Sequence, residues 1–198
     1  GYYPNISSDW GEPILKDLKE GQRLKFERAE FTGGEPTIRE DLLELVSEAT
    51  KLGYREIALS TNGRALSSLQ YLKSLKKNGL NRVTITLYSG ESKVHDSITR
   101  VPGSFEQTVQ GIKNSLSLGI VTTINTAVFN RTINGLKKTG EFLVSLGAKY
   151  WTLLDLIPDG YALTNYKILS VNPQKLRKIF ASLYTTLKKF EVVNFFDF

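Results

Sequence analysis

The heptapeptide Phe31-Thr32-Gly33-Gly34-Glu35-Pro36-Thr37 lies between a stretch with strand character and a stretch with helical periodicity. The residues before it, Arg23–Phe31, are predicted to form a β-strand. After it, apolar residues recur at three- and four-residue steps through Ile38–Leu52, which predicts a helix with one buried face. The heptapeptide therefore joins a strand to a helix and marks one βα unit.

The predicted helix after the heptapeptide has signals at both ends. Thr37 and Glu40 have the spacing of a capping box, and Gly53 is the predicted C-cap glycine. A similar glycine ending, each time ahead of a predicted strand, recurs at Asn78-Gly79, Leu118-Gly119 and Leu146-Gly147.

The same alternation of strand and helix repeats along the chain. Strands are predicted at Arg23–Phe31, Glu56–Ser60, Arg82–Leu87, Val121–Phe129, Tyr150–Ile157 and Glu191–Phe196. Helices are predicted at Glu12–Glu20, Ile38–Leu52, Ser67–Asn78, Ser104–Leu118, Asn134–Leu146 and Pro173–Lys189. This order predicts an α/β fold with parallel strands joined by crossover helices. The pattern by itself leaves a barrel and an open doubly wound sheet as alternatives.

The composition of the 198 residues is that of a globular protein, and we expect one domain over residues 1–198, truncated at both ends. No apolar run is long enough for a membrane span and no signal peptide is recognisable, so a cytoplasmic location without membrane attachment is expected. The net charge is +6, but the lysines are dispersed over predicted helices, which favours solvated faces over a nucleic-acid stripe. The chain has neither Cys nor Met, which suggests an altered or trimmed sequence.

Polar and glycine-rich segments follow the predicted strands. They are Gly33-Gly34-Glu35-Pro36, Ser60-Thr61-Asn62-Gly63, Tyr88-Ser89-Gly90-Glu91, Asn130 and Pro158-Asp159-Gly160. Each of them alone is compatible with a simple turn. In parallel α/β sheets, however, ligands bind at the carboxyl ends of the strands, so these loops are expected to share one rim and one site.

Two acidic or basic positions need separate interpretation. The carboxylate of Glu35, between two glycines and a proline, is expected to be partly enclosed and to need a cationic or N–H partner, such as a ligand ammonium group. His95, the only histidine, is expected to have a surface or loop-packing role, because its neighbour Asp96 does not face it. No set of residues typical of a hydrolase is recognisable.

These segments resemble the core of the radical S-adenosylmethionine (SAM) superfamily. The resemblance rests on Phe31–Thr37, on Ser60-Thr61-Asn62-Gly63, on Ile85-Thr86-Leu87-Tyr88-Ser89 with His95-Asp96 and Arg100, and on Gly103-Ser104-Phe105. It extends from about Asn5 to Gly160. What it implies is a partial (βα)6 TIM-like barrel with outer helices and SAM as cofactor.

The resemblance also implies roles for individual residues. Gly33, Gly34 and Glu35, followed by Pro36, are expected to hold the SAM amino group, with Thr61 and Asn62 lining the floor. Thr86 is expected near the ribose or carboxylate, Arg100 at the carboxylate, and Asn125 and Asn130 near the ribose. Ile157 and Pro158 are expected to flank the adenine.

The family's three-cysteine motif, which ligates a 4Fe-4S cluster, has no counterpart in this chain. The ligand positions fall at Pro4, Ser8 and Gly11, with Trp10 at the aromatic position. Because those side chains do not hold a cluster, the chain as it stands is expected to be inactive in reductive SAM cleavage.

Three interpretations follow. In the first, the parent protein is a radical SAM enzyme whose cysteines are altered or missing here, and which takes electrons from a donor such as ferredoxin or flavodoxin. In the second, the chain is a clusterless module that binds SAM or a partner. In the third, it is an unrelated barrel with coincidental loops. The first is favoured, because decay of one site does not remove every Met. Peptides, RNA and small molecules stay open as substrates.

Overall fold

The computed structural model of this chain describes residues 11–157 and 160–196, and its centre is one sheet of six parallel strands. The strands are β1 Arg28–Phe31, β2 Glu56–Thr61, β3 Arg82–Thr86, β4 Val121–Ala127, β5 Tyr150–Leu154 and β6 Val192–Phe196. They pair in chain order from β1 to β6, and every pair is parallel. The predicted parallel α/β architecture is thus confirmed.

Helices connect and flank the strands. They are α1 Gly11–Arg23, α2 Leu42–Lys51, α3 Leu69–Lys77, α4 Ser92–Thr99, α5 Ser104–Ser117, α6 Leu136–Ser145, α7 Gly160–Leu169 and α8 Pro173–Leu187. Short 3-10 helices lie at Pro36–Ile38, Ala65–Ser67 and Ile133–Gly135. The helices α4 and α7 were not predicted from the sequence. No helix within the described ranges has the length and apolarity needed to cross a membrane.

The predicted start of the second helix was wrong. Its first turn is the separate 3-10 helix Pro36–Ile38, and Ile38 is 67% exposed. Thr37 does not cap α2 but donates its hydroxyl to Glu35, and α2 begins only after Asp41. The predicted glycine endings are confirmed, since Gly53, Gly79, Gly119 and Gly147 all have positive φ after a helix.

Three strand predictions were too long by two residues or more. Residues 24–27 form a turn rather than the start of β1, and Lys25 in that turn has a positive φ of 62°. β4 and β5 end at Ala127 and Leu154 rather than at Phe129 and Ile157. Val128 and Phe129 stay buried in the loop after β4, whereas Leu24, Phe26 and Ile157 are exposed, so an apolar residue in these runs does not by itself indicate a place in the sheet.

The apolar core lies between the sheet and the surrounding helices. Alternate strand residues such as Leu59, Ile85 and Ile124 point into it and are fully buried. Trp151 on β5 is also fully buried and donates its indole N–H to Thr126 Oγ1 at 3.0 Å. Packing on this side fixes the sheet against its helices, so the ends of the strands are held in place.

The other face of the sheet is concave and polar. A cavity of about 260 Å³ on this face is lined by residues from all six strands, which requires the sheet to curve around it. We call this surface the inner face; its lining residues are Arg28, Glu30, Ser60, Arg82, Thr84, Thr123, Asn125, Thr152, Leu154 and Asn194. A curved parallel sheet with helices outside is the predicted partial barrel.

Candidate functional site

A cleft of about 500 Å³ opens at the carboxyl ends of β1, β2 and β3, beside α4 and α5. We call it the rim cleft; it is lined by Thr32, Gly33, Gly34, Glu35, Ser60, Thr61, Asn62, Arg64, Thr86, Tyr88, His95, Ile98, Thr99 and Thr108. Six of the predicted site residues, from three separate strand ends, are among them. Parallel strands bring their ends to one edge, and this is why residues far apart in the chain meet here.

Glu35 fastens the loop after β1 to the end of β2. Its Oε1 accepts hydrogen bonds from the Thr37 amide (3.2 Å), the Thr37 hydroxyl (2.5 Å) and the Thr61 hydroxyl (2.6 Å). Its Oε2 accepts one from the Asn62 amide at 2.7 Å. The N–H partners expected for this enclosed carboxylate are therefore groups of the protein itself, the Thr37 and Asn62 amides. Oε2 has one donor where Oε1 has three, so Oε2 keeps an acceptor site.

The loop after β2 is held from a second side by α5. Thr108 donates its hydroxyl to the Asn62 carbonyl at 2.9 Å, and Gly63 has a positive φ of 77°. Gly111 packs directly on this turn, because a Cβ at residue 111 would overlap the Gly63 carbonyl oxygen. Asn62 and Thr61 are therefore positioned by close backbone packing as well as by Glu35.

His95 lines the rim cleft, although no role at the site was predicted for it. It is 2% exposed and packs between the rings of Tyr88 and Phe105, so of the two expected roles the surface one is wrong and the packing one agrees with the structure. Burial lowers its pKa, against the upward pull of the Asp96 and Glu106 carboxylates. Its Nδ1 accepts the Tyr88 amide at 3.3 Å, which places the proton of the neutral ring on Nε2. His95 lies nine residues beyond the end of β3, and its place in the cleft is recognisable only once α4 is known.

Asp96 fixes the junction between α4 and α5. Its carboxylate accepts hydrogen bonds from the Gly103 amide, the Ser104 hydroxyl and the Phe105 amide, each at 2.8 Å. Desolvation raises the pKa of Asp96, but these hydrogen bonds outweigh it and the net pKa is lowered. The carboxylate thus caps α5, and its hydrogen bonds go to that helix start rather than to the adjacent His95, on which it acts only through its charge.

Arg100 ends α4 beside the cleft but is not among the residues that line it. It adopts a left-handed conformation with φ of 59°, and its side chain is exposed. Within the described part of the chain it forms no salt bridge. Its neighbour Thr99 does line the rim cleft.

The other predicted residues are more scattered. Asn125 is on the inner face, in register with Thr86 across β3 and β4. Asn130 donates a hydrogen bond from its side-chain amide to the Ile168 carbonyl at 2.6 Å, so this amide is already bonded to α7. Pro36 is buried below the loop, and Ile157 is 63% exposed. Pro158 lies outside the described residues.

The residues present do not fit an iron–sulfur cluster. The chain has no cysteine, and Pro4 and Ser8 of the predicted ligand positions lie outside the described residues. Gly11, the third position, begins α1 and has no ligating side chain. Across residues 11–157 and 160–196, no group of three His, Asp or Glu side chains is arranged to hold a metal ion.

Comparison with known proteins gives one family. The model of the Radical SAM superfamily matches residues 10–143. The probable GTP 3',8-cyclase of Saccharolobus islandicus is 33% identical over 157 residues, which are 79% of this chain and 50% of that protein. The AdoMet-dependent heme synthase of Oleidesulfovibrio alaskensis is 36% identical over 132 residues, 67% of this chain and 34% of that protein. The chain thus spans half or less of the length of these relatives.

Solved structures with the same fold include two with a bound cofactor. The native anSMEcpe structure with bound AdoMet and the Kp18Cys peptide has a TM-score of 0.70 at 17% identity, covering 93% of this chain and 54% of that one. Streptococcus suis SuiB bound to S-adenosylmethionine has a TM-score of 0.70 at 18% identity, covering 99% and 44%. At these identities the likeness supports the fold alone.

Proposed function

The chain belongs to the radical SAM superfamily, and from that premise we propose that its rim cleft binds S-adenosylmethionine. The observation that carries the proposal is the meeting of Gly33, Gly34 and Glu35 with Thr61, Asn62 and Thr86 in a single cleft at the carboxyl edge of the sheet. The strand ends bring these residues together, and the hydrogen bonds from Thr61 and Asn62 to Glu35 hold them there. The cleft also contains the backbone, hydroxyl and carboxylate groups that an amino acid moiety requires.

We place the amino group of the cofactor at the loop after β1. The Gly33 position is open, since a Cβ there would meet no atom within 4 Å, so a ligand has access to the backbone. The acceptor site left on Glu35 Oε2 suits an ammonium group, which it would bind by a charge-assisted hydrogen bond. Arg100 and Thr86 stay candidates for the carboxylate, and Asn125 for the ribose.

Two further predicted contacts, those of Asn130 and Ile157, have less support from the structure. Asn130 already hydrogen-bonds α7, so a ribose contact requires that bond to break. Ile157 is exposed beyond β5 and is kept as a candidate for one side of the adenine. His95, by contrast, enters the proposal as a neutral residue whose Nε2–H is available as a donor to a cleft ligand.

The whole protein is proposed to be an enzyme, because the relatives named above are enzymes by name. One name specifies GTP and the other specifies heme synthesis. Because the two differ, we assign neither substrate to this chain. The family's 4Fe-4S cluster supplies the electron for SAM cleavage when bound. Since no cysteine of this chain can ligate it, no cleavage step is assigned to these residues, and a clusterless SAM-binding module is the alternative for the chain by itself.

The test is a calorimetric titration of the chain with SAM and with S-adenosylhomocysteine. Gly33→Ala adds a methyl group at the cleft and strains a residue with φ of 128°. Gly119→Ala is the matched control, because Gly119 also has a positive φ and open space around its Cβ, but lies at the opposite edge of the sheet. Both changes should lower the free energy of unfolding by about 1 to 3 kcal/mol.

Only Gly33→Ala should weaken ligand binding, by roughly tenfold or more, since it obstructs the proposed amino-group site. Equal affinity in the two variants, or no binding by the intact chain at ligand concentrations on the order of 1 mM, would contradict the proposal.

A further inference from the structure

The cavity on the inner face is separate from the rim cleft but adjoins it. Ser60 lines both, and Thr86 of the rim cleft is in register with Asn125 of the inner face. A molecule in the inner cavity therefore lies next to a molecule in the cleft. What the inner cavity can accept is determined by the charges and hydrogen-bonding groups along its walls.

The charged residues of the inner face neutralise each other. Arg28 contacts Glu30 at 2.6 Å and Glu56 at 3.2 Å, and Arg82 Nε lies 3.0 Å from Glu56 Oε2. The last contact is an ion pair by distance, although its angle is not that of a hydrogen bond. Ser60 donates to the remaining oxygen of Glu30 at 2.7 Å. Two guanidinium groups and two carboxylates thus cancel, and no cation in the described lining is free for an anion.

Neutral polar side chains line the same cavity toward β6. We call them the inner belt: Thr84, Thr123, Asn125, Thr152 and Asn194. Thr84 pairs in register with Thr123, and Asn125 with Thr152, which pairs with Asn194. No hydrogen bond joins these five side chains to other residues of the described chain. Each hydroxyl or amide can both donate and accept, so the belt offers matched partners to a neutral polar group.

We propose that the inner belt binds an uncharged, hydrogen-bonding part of the substrate, built from amide or hydroxyl groups, and rejects phosphate and carboxylate groups. The inference rests on the proposed function, since it takes the inner cavity as the substrate site beside the cofactor. Enclosing an anion without a free cation is costly, whereas a neutral group that satisfies the belt's donors and acceptors is not. This restricts the substrate class without identifying the substrate.

The experiment uses the isotopically labelled chain with saturating S-adenosylhomocysteine and follows backbone amide signals by NMR. The probes are N-acetylglycinamide for amides, D-ribose for hydroxyls, and inorganic phosphate and acetate for anions. We expect one or both neutral probes to shift the signals of the inner belt, with dissociation constants on the order of 10 mM, and the anions to leave them unchanged. Shifts with N-acetylglycinamide indicate that the belt binds amides, and shifts with D-ribose indicate that it binds hydroxyls. Shifts with anions but not with neutral probes would overturn the proposal.

Two pairs of variants test the two physical reasons for this proposal, the hydrogen-bonding groups of the belt and the pairing of charges. Thr123→Val keeps the strand shape but removes a hydroxyl of the belt, and should raise the dissociation constant of the neutral probe about twofold to tenfold. Thr185→Val on the exposed surface of α8 is its control and should change nothing. Equal effects of the two would contradict a role for the belt.

Glu56→Gln leaves Arg28 with one carboxylate partner and Arg82 with none, so phosphate should now shift the signals of the inner face. Glu27→Gln, which frees the exposed Arg55 instead, should give no such response. If phosphate does not shift the inner-face signals of Glu56→Gln, the pairing of charges is not the reason that anions are excluded. The titration with S-adenosylhomocysteine is read in the same samples, so failure of cofactor binding and failure of the belt are separate results.

Discussion

Replacing Glu35 with Ala should weaken both the fold and the binding of SAM, because the carboxylate joins two loops before it meets any ligand. Four hydrogen bonds from Thr37, Thr61 and Asn62 converge on it. A hydrogen bond to a charged group contributes about 1.5 to 3 kcal/mol, and partial exposure of Glu35 reduces that value. We therefore expect the free energy of unfolding to fall by about 2 kcal/mol and the affinity for SAM to fall roughly tenfold or more.

Urea unfolding and calorimetry measure the two effects, and Glu91→Ala is the control. Glu91 is exposed and its carboxylate pairs with the exposed Lys138, so loss of that carboxylate should leave both quantities unchanged within error. Glu35→Gln should be nearly as harmful as Glu35→Ala, because the new NH₂ group cannot accept the Asn62 amide. A double-mutant cycle with Thr61→Val should show coupling of the two residues. Weaker SAM binding with unchanged stability would refute the joining role and leave a direct contact with the ligand.

Three further results are expected. Burial lowers the pKa of His95, so the unfolded chain protonates near the ordinary value of 6.5 before the folded chain does. Stability should be full above that pH and fall as the pH drops below it, and His95→Gln should lose this fall in urea unfolding. A Cβ at Gly140 would lie 2.8 Å from both Trp151 Cζ3 and Thr186 Cγ2, so Gly140→Ala should cost about 1 to 3 kcal/mol in thermal or urea unfolding, and adding Thr186→Ser should restore part of it. Anaerobic reconstitution should leave the cysteine-free chain without a four-iron cluster, and stoichiometric iron and sulfide would contradict the ligand assignment.

The sheet was predictable because its signals are local. β-branched and aromatic runs alternate with amphipathic helices, and each glycine ending marks a chain reversal. The helices that were missed have weaker patterns. α4 has only eight residues and buries only His95 fully among them, and α7 is apolar on several sides, with Leu163 and Ile168 exposed. Neither presents the clear apolar stripe that periodicity detects.

The site was predictable as far as the strand ends specify it. Gly33, Glu35, Thr61 and Thr86 follow or end strands, and the parallel sheet brings them together without further information. The partners of Glu35 were not predictable, because a carboxylate seen in a sequence does not reveal whether the protein or a ligand satisfies it. Nor does spacing alone show that α4 turns His95 into the cleft.

Every strand of the sheet hydrogen-bonds to the strand that comes before it in the chain, from β1 to β6. The separation between paired residues is therefore set by the length of one βα unit and does not grow as units are added. Relative contact order governs folding speed in small domains, so each unit should close at about the pace of an independent small α/β motif. During synthesis, a completed strand can dock on the edge already formed at the ribosome, before the later strands have been made. A sheet whose central strands came last in the chain would have to wait for the ribosome to finish.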